Sequence, residues 1–184
     1  MKKLIIKAHP SPQGLTHRLV DEFVLEAEKS FHQVKILDLY AEDMDFLKFE
    51  NESELPRKPE MKKYRELLAW ADEFVFFFPV WWYDSPSIVK NFYDSAFVSH
   101  LAFVYESSLP TPLFKDKQSQ FICTSGGPGF LYDFRLLPLK RVWHHRMAFC
   151  GAKIRNFLVL GPKSRRAEER IEKFICKIKK IAQK

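Results

Sequence analysis

Glu73-Phe74-Val75-Phe76-Phe77-Phe78-Pro79-Val80-Trp81-Trp82-Tyr83-Asp84-Ser85-Pro86 is the stretch whose reading decides the fold. Its first six residues form a short run that is apolar on both faces apart from Glu73. That is the pattern of a central parallel strand covered on both sides. Ser85-Pro86 then reads as a helix start, with Ser as the capping residue and Pro at the first helical position. Working outward, short apolar runs alternate with helical patterns. Leu4–Ala8 reads as a first strand and Thr16–Ser30 as a helix with Leu19, Phe23, Val24 and Ala27 on one side. Val34–Leu39 reads as a second strand, the acidic residues 41–60 as a loop, and Met61–Ala71 as a helix. Gln120–Cys123 is the fourth strand, Leu136–Met147 a helix, and Ile154–Leu160 the fifth strand. Ser164 is expected to cap a last helix with Ile171, Phe174, Ile175, Ile178 and Ala182 in one apolar stripe. Such alternation predicts a parallel sheet with helices on both faces, in one domain spanning residues 1–184.

The composition agrees with a globular α/β domain. The chain has 184 residues, 46% apolar and 29% charged, which is too apolar for disorder. No apolar run approaches the roughly 20 residues of a membrane span. The apolar run after Lys3 stops at Lys7, too short for a secretory leader. Three cysteines, at 123, 150 and 176, match no zinc spacing and suggest a reducing compartment, hence a cytoplasmic protein. Net charge is +7. Much of the excess lies after Gly161, where a basic helix face reads first as a solvated face. No nucleic-acid motif accompanies it, so nucleic-acid binding is not expected. His144 and His145 diverge by about 100° on a helix and do not make a metal site with Cys150.

In a sheet of this kind, ligands bind at the carboxyl ends of the strands, so the loops there carry the functional reading. After the first strand, residues 9–17 run His-Pro-Ser-Pro-Gln-Gly-Leu-Thr-His into a helix amino terminus. This is either a plain turn with Thr16 as a cap, or an anion site built from free amides, the Thr16 hydroxyl and the rings of His9 or His17. It has neither a Walker lysine nor G-x-G-x-x-G. After the third strand come Pro79, Val80, Trp81, Trp82 and Tyr83. Neighbouring side chains diverge, so the three aromatics cannot share one core; a planar ligand suits them better. After the fourth strand come Thr124, Ser125, Gly126 and Gly127, with Tyr132 five residues on. Either this is a flexible turn or its amides face a ligand's polar rim. All three loops meet at one sheet edge.

Together, Ala8-His9-Pro10, Leu37-Asp38-Leu39-Tyr40-Ala41, Ala71-Asp72, Phe78-Pro79-Val80-Trp81-Trp82 with Pro86 and Lys90, Thr124-Ser125-Gly126-Gly127 and Phe149-Cys150-Gly151 resemble the flavodoxin-fold NAD(P)H:quinone oxidoreductases. The modulator of drug activity B proteins and the ancillary flavoproteins of potassium-efflux systems belong to that group. The resemblance runs from Lys3 to about Gly161. It implies a flavodoxin-like sheet of five parallel strands in the order 2-1-3-4-5. It also implies a flavin, FMN by the shortness of the chain, with FAD the alternative. Gly14, Leu15, Thr16 and His17 would hold its phosphate, with His9 beside them. Pro79, Val80, Trp81, Trp82 and Tyr83 would line the isoalloxazine, Trp82 packing along it. Thr124, Ser125, Gly126 and Gly127 would face its pyrimidine edge. The catalytic group would be Tyr132 with the Gly126 and Gly127 amides, stabilising negative charge as the ring is reduced.

The implied reaction takes hydride from NAD(P)H to flavin N5, then passes two electrons to a quinone or similar flat electrophile, by a ping-pong mechanism. Phe103, Tyr105 and Tyr132 would bind that acceptor. The alternative implied is a regulatory flavoprotein docked on a membrane potassium-efflux transporter. The resemblance also implies a homodimer in which each site is closed by the other subunit. The apolar run Phe92–Tyr105, with Phe97, Val98, Leu101 and Phe103, is expected to supply that interface.

Overall fold

The computed structural model describes residues 1–42, 44–48, 51, 54, 56, 58–106, 108–133, 137–162 and 167–184. Its elements run β1 (Lys2–Lys7), α1 (Leu15–Lys29), β2 (Gln33–Asp38), α2 (Lys62–Trp70), β3 (Glu73–Pro79), α3 (Ser87–Ala96), β4 (Phe103–Tyr105), β5 (Pro110–Pro112), β6 (Gln118–Thr124), α4 (Phe130–Asp133), α5 (Pro138–Cys150), β7 (Lys153–Leu160) and α6 (Ala167–Ala182). A 3₁₀ turn, Pro59–Met61, leads into α2. The main sheet has the order β2-β1-β3-β6-β7, every pair parallel. This is the expected order 2-1-3-4-5, with β4 and β5 forming a separate antiparallel hairpin. That hairpin was not expected, because Pro110-Thr111-Pro112 carries no strand signal. Proline is tolerated there because a two-stranded ribbon consists only of edges. The expected Ser164 cap and the Leu136 start of α5 lie outside the described residues. Among those described, no helix is long and apolar enough to cross a membrane.

Every residue of β3 is buried, and its alternation divides the interior in two. Phe74, Phe76 and Phe78 face α2, α3 and α5, where Tyr64, Leu68, Phe92, Leu139 and Trp143 complete the core. The rings of Phe76 and Phe121 stack at 4.9 Å, and those of Phe121 and Phe157 at 4.8 Å. Val75 and Phe77 face the other way, against Leu19 and Phe23 of α1 and Ile171, Ile175 and Ile178 of α6. Phe97 and Val98, expected at an interface, belong to this interior. Phe97 packs on Phe92 and Phe114. Helical spacing showed that these residues were apolar, but not that the segment after α3 folds back under its own chain.

At the amino end of the sheet the apolar layers give way to a polar ladder. Lys3 and Glu73 are fully buried neighbours on β1 and β3, 2.5 Å apart. Gln120 on β6 donates its side-chain amide to the free carboxylate oxygen of Glu73 at 2.9 Å, and Asn156 on β7 donates to the Gln120 carbonyl at 2.9 Å. The chain of contacts crosses four strands. A buried ion pair adds little over a well-packed apolar pair, but removing one partner strands the other charge. Lys3→Met and Glu73→Gln should therefore each lower unfolding stability by about 3–5 kcal/mol. In the double variant the amide introduced at position 73 still accepts from Gln120, so the loss should be clearly less than the sum of the two. Urea unfolding of the four proteins checks this; strict additivity would show that the two charges do not depend on each other.

Candidate functional site

At the opposite end, backbone hydrogen bonds continue past the strands and bring the loops to one level. The Ala8 amide donates to the Phe77 carbonyl at 2.8 Å, Val80 to Thr124 at 2.7 Å, and Ser125 to Leu160 at 2.8 Å. Between the loops lies a cleft of about 620 Å³ lined by His9 and by residues 13–15, 79–81, 124–126 and 160–162. The three loops expected to converge do so. A fourth, Gly161-Pro162 after β7, joins them. Its Gly-Pro pair reads as an ordinary turn and was missed, although the rule that ligands sit at strand carboxyl ends covers β7 equally.

Gly14 is the capping residue of α1, in extended conformation, and no side chain caps the helix. The amides of Leu15 and Thr16 therefore have no intrahelical acceptor. Thr16 is buried, and its hydroxyl has no hydrogen-bond partner among the described residues. An unpaired buried hydroxyl is costly, which marks this helix start as a place for an acceptor from outside. The His9 ring lies on Gly14; a Cβ there would stand 2.3 Å from His9 Cε1. His9 Nδ1 lies 3.1 Å from the Ser11 amide nitrogen and 2.9 Å from the Ser11 carbonyl oxygen. A ring nitrogen either donates or accepts, so it satisfies one of these at a time. His17 lies edge-on to His9 at 5.8 Å and does not line the cleft; it faces a neighbouring hollow with Pro12, Gln13 and Gly14.

The second loop is a tight turn. The Trp81 amide donates to the Asp84 carbonyl at 2.9 Å and the Asp84 amide to the Trp81 carbonyl at 3.0 Å. Its two central residues are left-handed, with φ of 50° at Trp82 and 66° at Tyr83. Turns of this shape normally take Asn-Gly. Trp81 lines the cleft, whereas Trp82 is 96% exposed and covers nothing of its own chain. Ser85 does not cap α3. The helix begins at Ser87 with Pro86 in the capping position, and Asp84 Oδ1 takes the Ser85 amide at 2.7 Å. The carboxylate of Asp84 thus closes the turn just ahead of α3, where the Ser85 hydroxyl was expected to act.

In the third loop Ser125 Oγ accepts the Gly127 amide at 3.0 Å and meets the Tyr132 hydroxyl at 3.2 Å. Tyr132 is buried in the core, so its polar end communicates with the loop through Ser125. Gly126 opens to the cleft; a Cβ there would meet nothing within 4 Å. The Thr124 carbonyl accepts the Val80 amide at the end of β3. Cys123 beneath the loop is buried, and burial pushes its thiol well above the ordinary range, so it is a core residue and not a nucleophile. Phe103 packs on Phe149 at 4.8 Å and on Tyr105 at 5.6 Å, on the β4–β5 hairpin. Neither Phe103 nor Tyr105 lines the cleft of its own chain.

A doubly wound sheet with this order and this cleft defines a flavodoxin-like protein. The family model described as "Flavodoxin-like fold" matches residues 1–182, and the chain belongs to that family. A protein of Clostridium perfringens named FMN-dependent NADH:quinone oxidoreductase is 32% identical, over 98% of this chain and 99% of its own. A relative of the same name from Caldicellulosiruptor bescii is 31% identical over 74% of this chain and 71% of its own. Among solved structures, a Streptococcus mutans protein superposes with a TM-score of 0.81 at 28% identity, covering 100% of this chain and 99% of that one. An FMN-dependent NADH-azoreductase of Bacillus anthracis, solved with FMN, superposes at 0.83 over 99% and 98%; at 16% identity it shows the fold alone.

The left-handed pair at Trp82 and Tyr83 stores strain of about 1–2 kcal/mol per residue. Tyr83→Gly should relieve part of it and raise stability by about 1 kcal/mol, a Tm increase of about 2–4 °C for a domain of this size. Calorimetry of the ligand-free protein checks this, and an unchanged or lower Tm would rule the strain out.

Proposed function

We propose that the chain is an FMN-dependent NADH:quinone oxidoreductase, with its cofactor in the cleft at the carboxyl edge of the sheet. The observation that carries this reading is the buried, unpartnered Thr16 hydroxyl beside the free amides of Leu15 and Thr16. That donor set suits a phosphate at a helix amino terminus. FMN bound there would accept hydride from NADH and pass two electrons to a quinone-like acceptor.

The chain's own residues divide the remaining work. His9 flanks the phosphate, and its ring on Gly14 closes that end. Trp81 and Val80 form the wall for the ring system, and Trp82 and Tyr83, exposed and outside that lining, would cover the ring from the open side. The Gly126 amide, in the part of the third loop that lines the cleft, would donate to the pyrimidine edge. Ser125, held by Tyr132 and by the Gly127 amide, fixes the shape of that loop. Tyr132 therefore acts through Ser125, holding its hydroxyl in place without entering the cleft. Water is excluded poorly by one chain alone. The exposed aromatics Trp82, Tyr83, Tyr105 and Phe149 suit a homodimer in which the hairpin of one protomer, with Phe103 and Tyr105, roofs the acceptor site of its partner.

The first test is the visible spectrum of the purified protein and the identity of the released flavin. A protein that binds neither FMN nor FAD on incubation would end this reading. Because Trp82 covers nothing of its own chain, Trp82→Ala should leave the Tm of the ligand-free protein unchanged. It should weaken FMN binding by about 1–3 kcal/mol, a factor of about five to a hundred or more. Mixing inactive Trp82 and Tyr105 variants should restore part of the quinone reductase activity through hybrid sites. A fully active monomer in sedimentation would refute the shared site.

A further inference from the structure

Lys7 ends β1 on the face that carries α1, directly beside Asp38 in the register with β2. Its ammonium lies 2.9 Å from Asp38 Oδ2 and 3.0 Å from His17 Nδ1, and its side chain is largely buried. An ammonium has donors and no acceptor. The contact with His17 therefore has one polarity: Lys7 donates and Nδ1 accepts. That leaves the His17 proton on Nε2, which lies 3.4 Å from the His9 carbonyl. The hydrogen bonds thus run in one direction, from Lys7 to His17 and from His17 to the backbone of His9, while Asp38 holds Lys7 in place.

The far end of this chain is one side of the anion cradle. His9 is the residue whose ring lies on Gly14, and Gly14 caps α1. The first turn of α1 holds no acidic residue, and no side chain caps it. The positive end of the helix is therefore left for a ligand, and the Lys7–Asp38 ion pair reaches its first turn through His17.

We propose that Lys7 is a positioning residue for the phosphate end of the cofactor, acting through the tautomer of His17 on the His9–Gly14 loop. This rests on the flavin reading above. Lys7 touches no part of the cleft itself. It determines which nitrogen of His17 carries the proton, and so whether the His9 carbonyl is tied down or turned free beside the phosphate.

The test compares FMN with riboflavin, which lacks the phosphate, by titration of flavin fluorescence against wild type, Lys7→Met and Lys7→Arg. Lys7→Met should weaken FMN binding roughly tenfold and leave riboflavin binding unchanged. Lys7→Arg, which keeps a charge and a donor, should retain the wild-type ratio of the two affinities. Nitrogen-15 spectra of the ligand-free protein should show His17 protonated at Nε2 in wild type, and this preference should be lost in Lys7→Met. Equal loss of both ligands in Lys7→Met would make Lys7 a merely structural residue and overturn the proposal, as would an unmoved ratio or a His17 protonated at Nδ1 in wild type. A wild-type protein that binds neither flavin would overturn the flavin reading and this assignment together. A wild-type protein that binds FMN with an unmoved ratio would overturn this assignment alone.

Discussion

The site depends on three backbone hydrogen bonds that continue the sheet beyond its strands, from Ala8 to Phe77, Val80 to Thr124 and Ser125 to Leu160. Parallel ladders place every strand's carboxyl end on the same edge. These extra bonds prevent the chain from diverging until it is clear of the core. The loops therefore start from fixed points, and their side chains converge although they lie far apart in sequence. The cleft is a property of the sheet edge, and the loops furnish it. That is why two residues of modest appearance, Gly14 and Gly126, matter as much as the aromatics. Gly126 keeps a side chain out of the cleft, and Gly14 makes room for the His9 ring.

Order at this edge is bought with strain and with unmet hydrogen bonds. Trp82 and Tyr83 hold a backbone shape that suits neither, and the Thr16 hydroxyl is buried without a partner among the described residues. Away from the cleft, β3 is buried throughout, and α5 ends on Gly151 in the left-handed conformation, where a Cβ would stand 2.8 Å from Pro112 Cβ. Similar departures occur away from the cleft, at the left-handed Phe31 and His100 and at the buried Trp143 Nε1, which has no partner among the described residues; what sets this edge apart is that its departures fall on converging loops.

Much of this was legible in the sequence for a physical reason. Burial on both faces leaves a continuous apolar run, so Glu73–Phe78 announced a central strand and the alternation around it announced a parallel sheet. The convergence of residues 9–16, 79–83 and 124–127 followed from topology. What remained hidden depends on backbone conformation or on tertiary cover. Trp82-Tyr83 is the opposite of an Asn-Gly signal, so the turn could not be read. Pro110-Thr111-Pro112 gives no sign of a strand. Ser85 looked like a helix cap, but its neighbour Asp84 takes up the turn ahead of the helix. Phe97 and Val98 looked available to another chain because nothing local shows that Phe114 returns to cover Phe97. Lys7 and His17 are ten residues apart, and only the fold brings them into contact.

The polar ladder at the other end of the sheet has a consequence for how the chain finds its register. Phe74, Phe76 and Phe78 repeat at the strand period, so sliding β3 by two residues past β1 would still present phenylalanine to the same core. Oil-like burial alone hardly distinguishes the two alignments. Lys3, Glu73, Gln120 and Asn156 do, because a slip would leave an ammonium and a carboxylate buried apart. The ladder works as a keyed joint: it adds little to the depth of the native minimum and raises the nearest wrong one. A sheet with so repetitive a central strand needs such a key, and its place is the end farthest from the cleft.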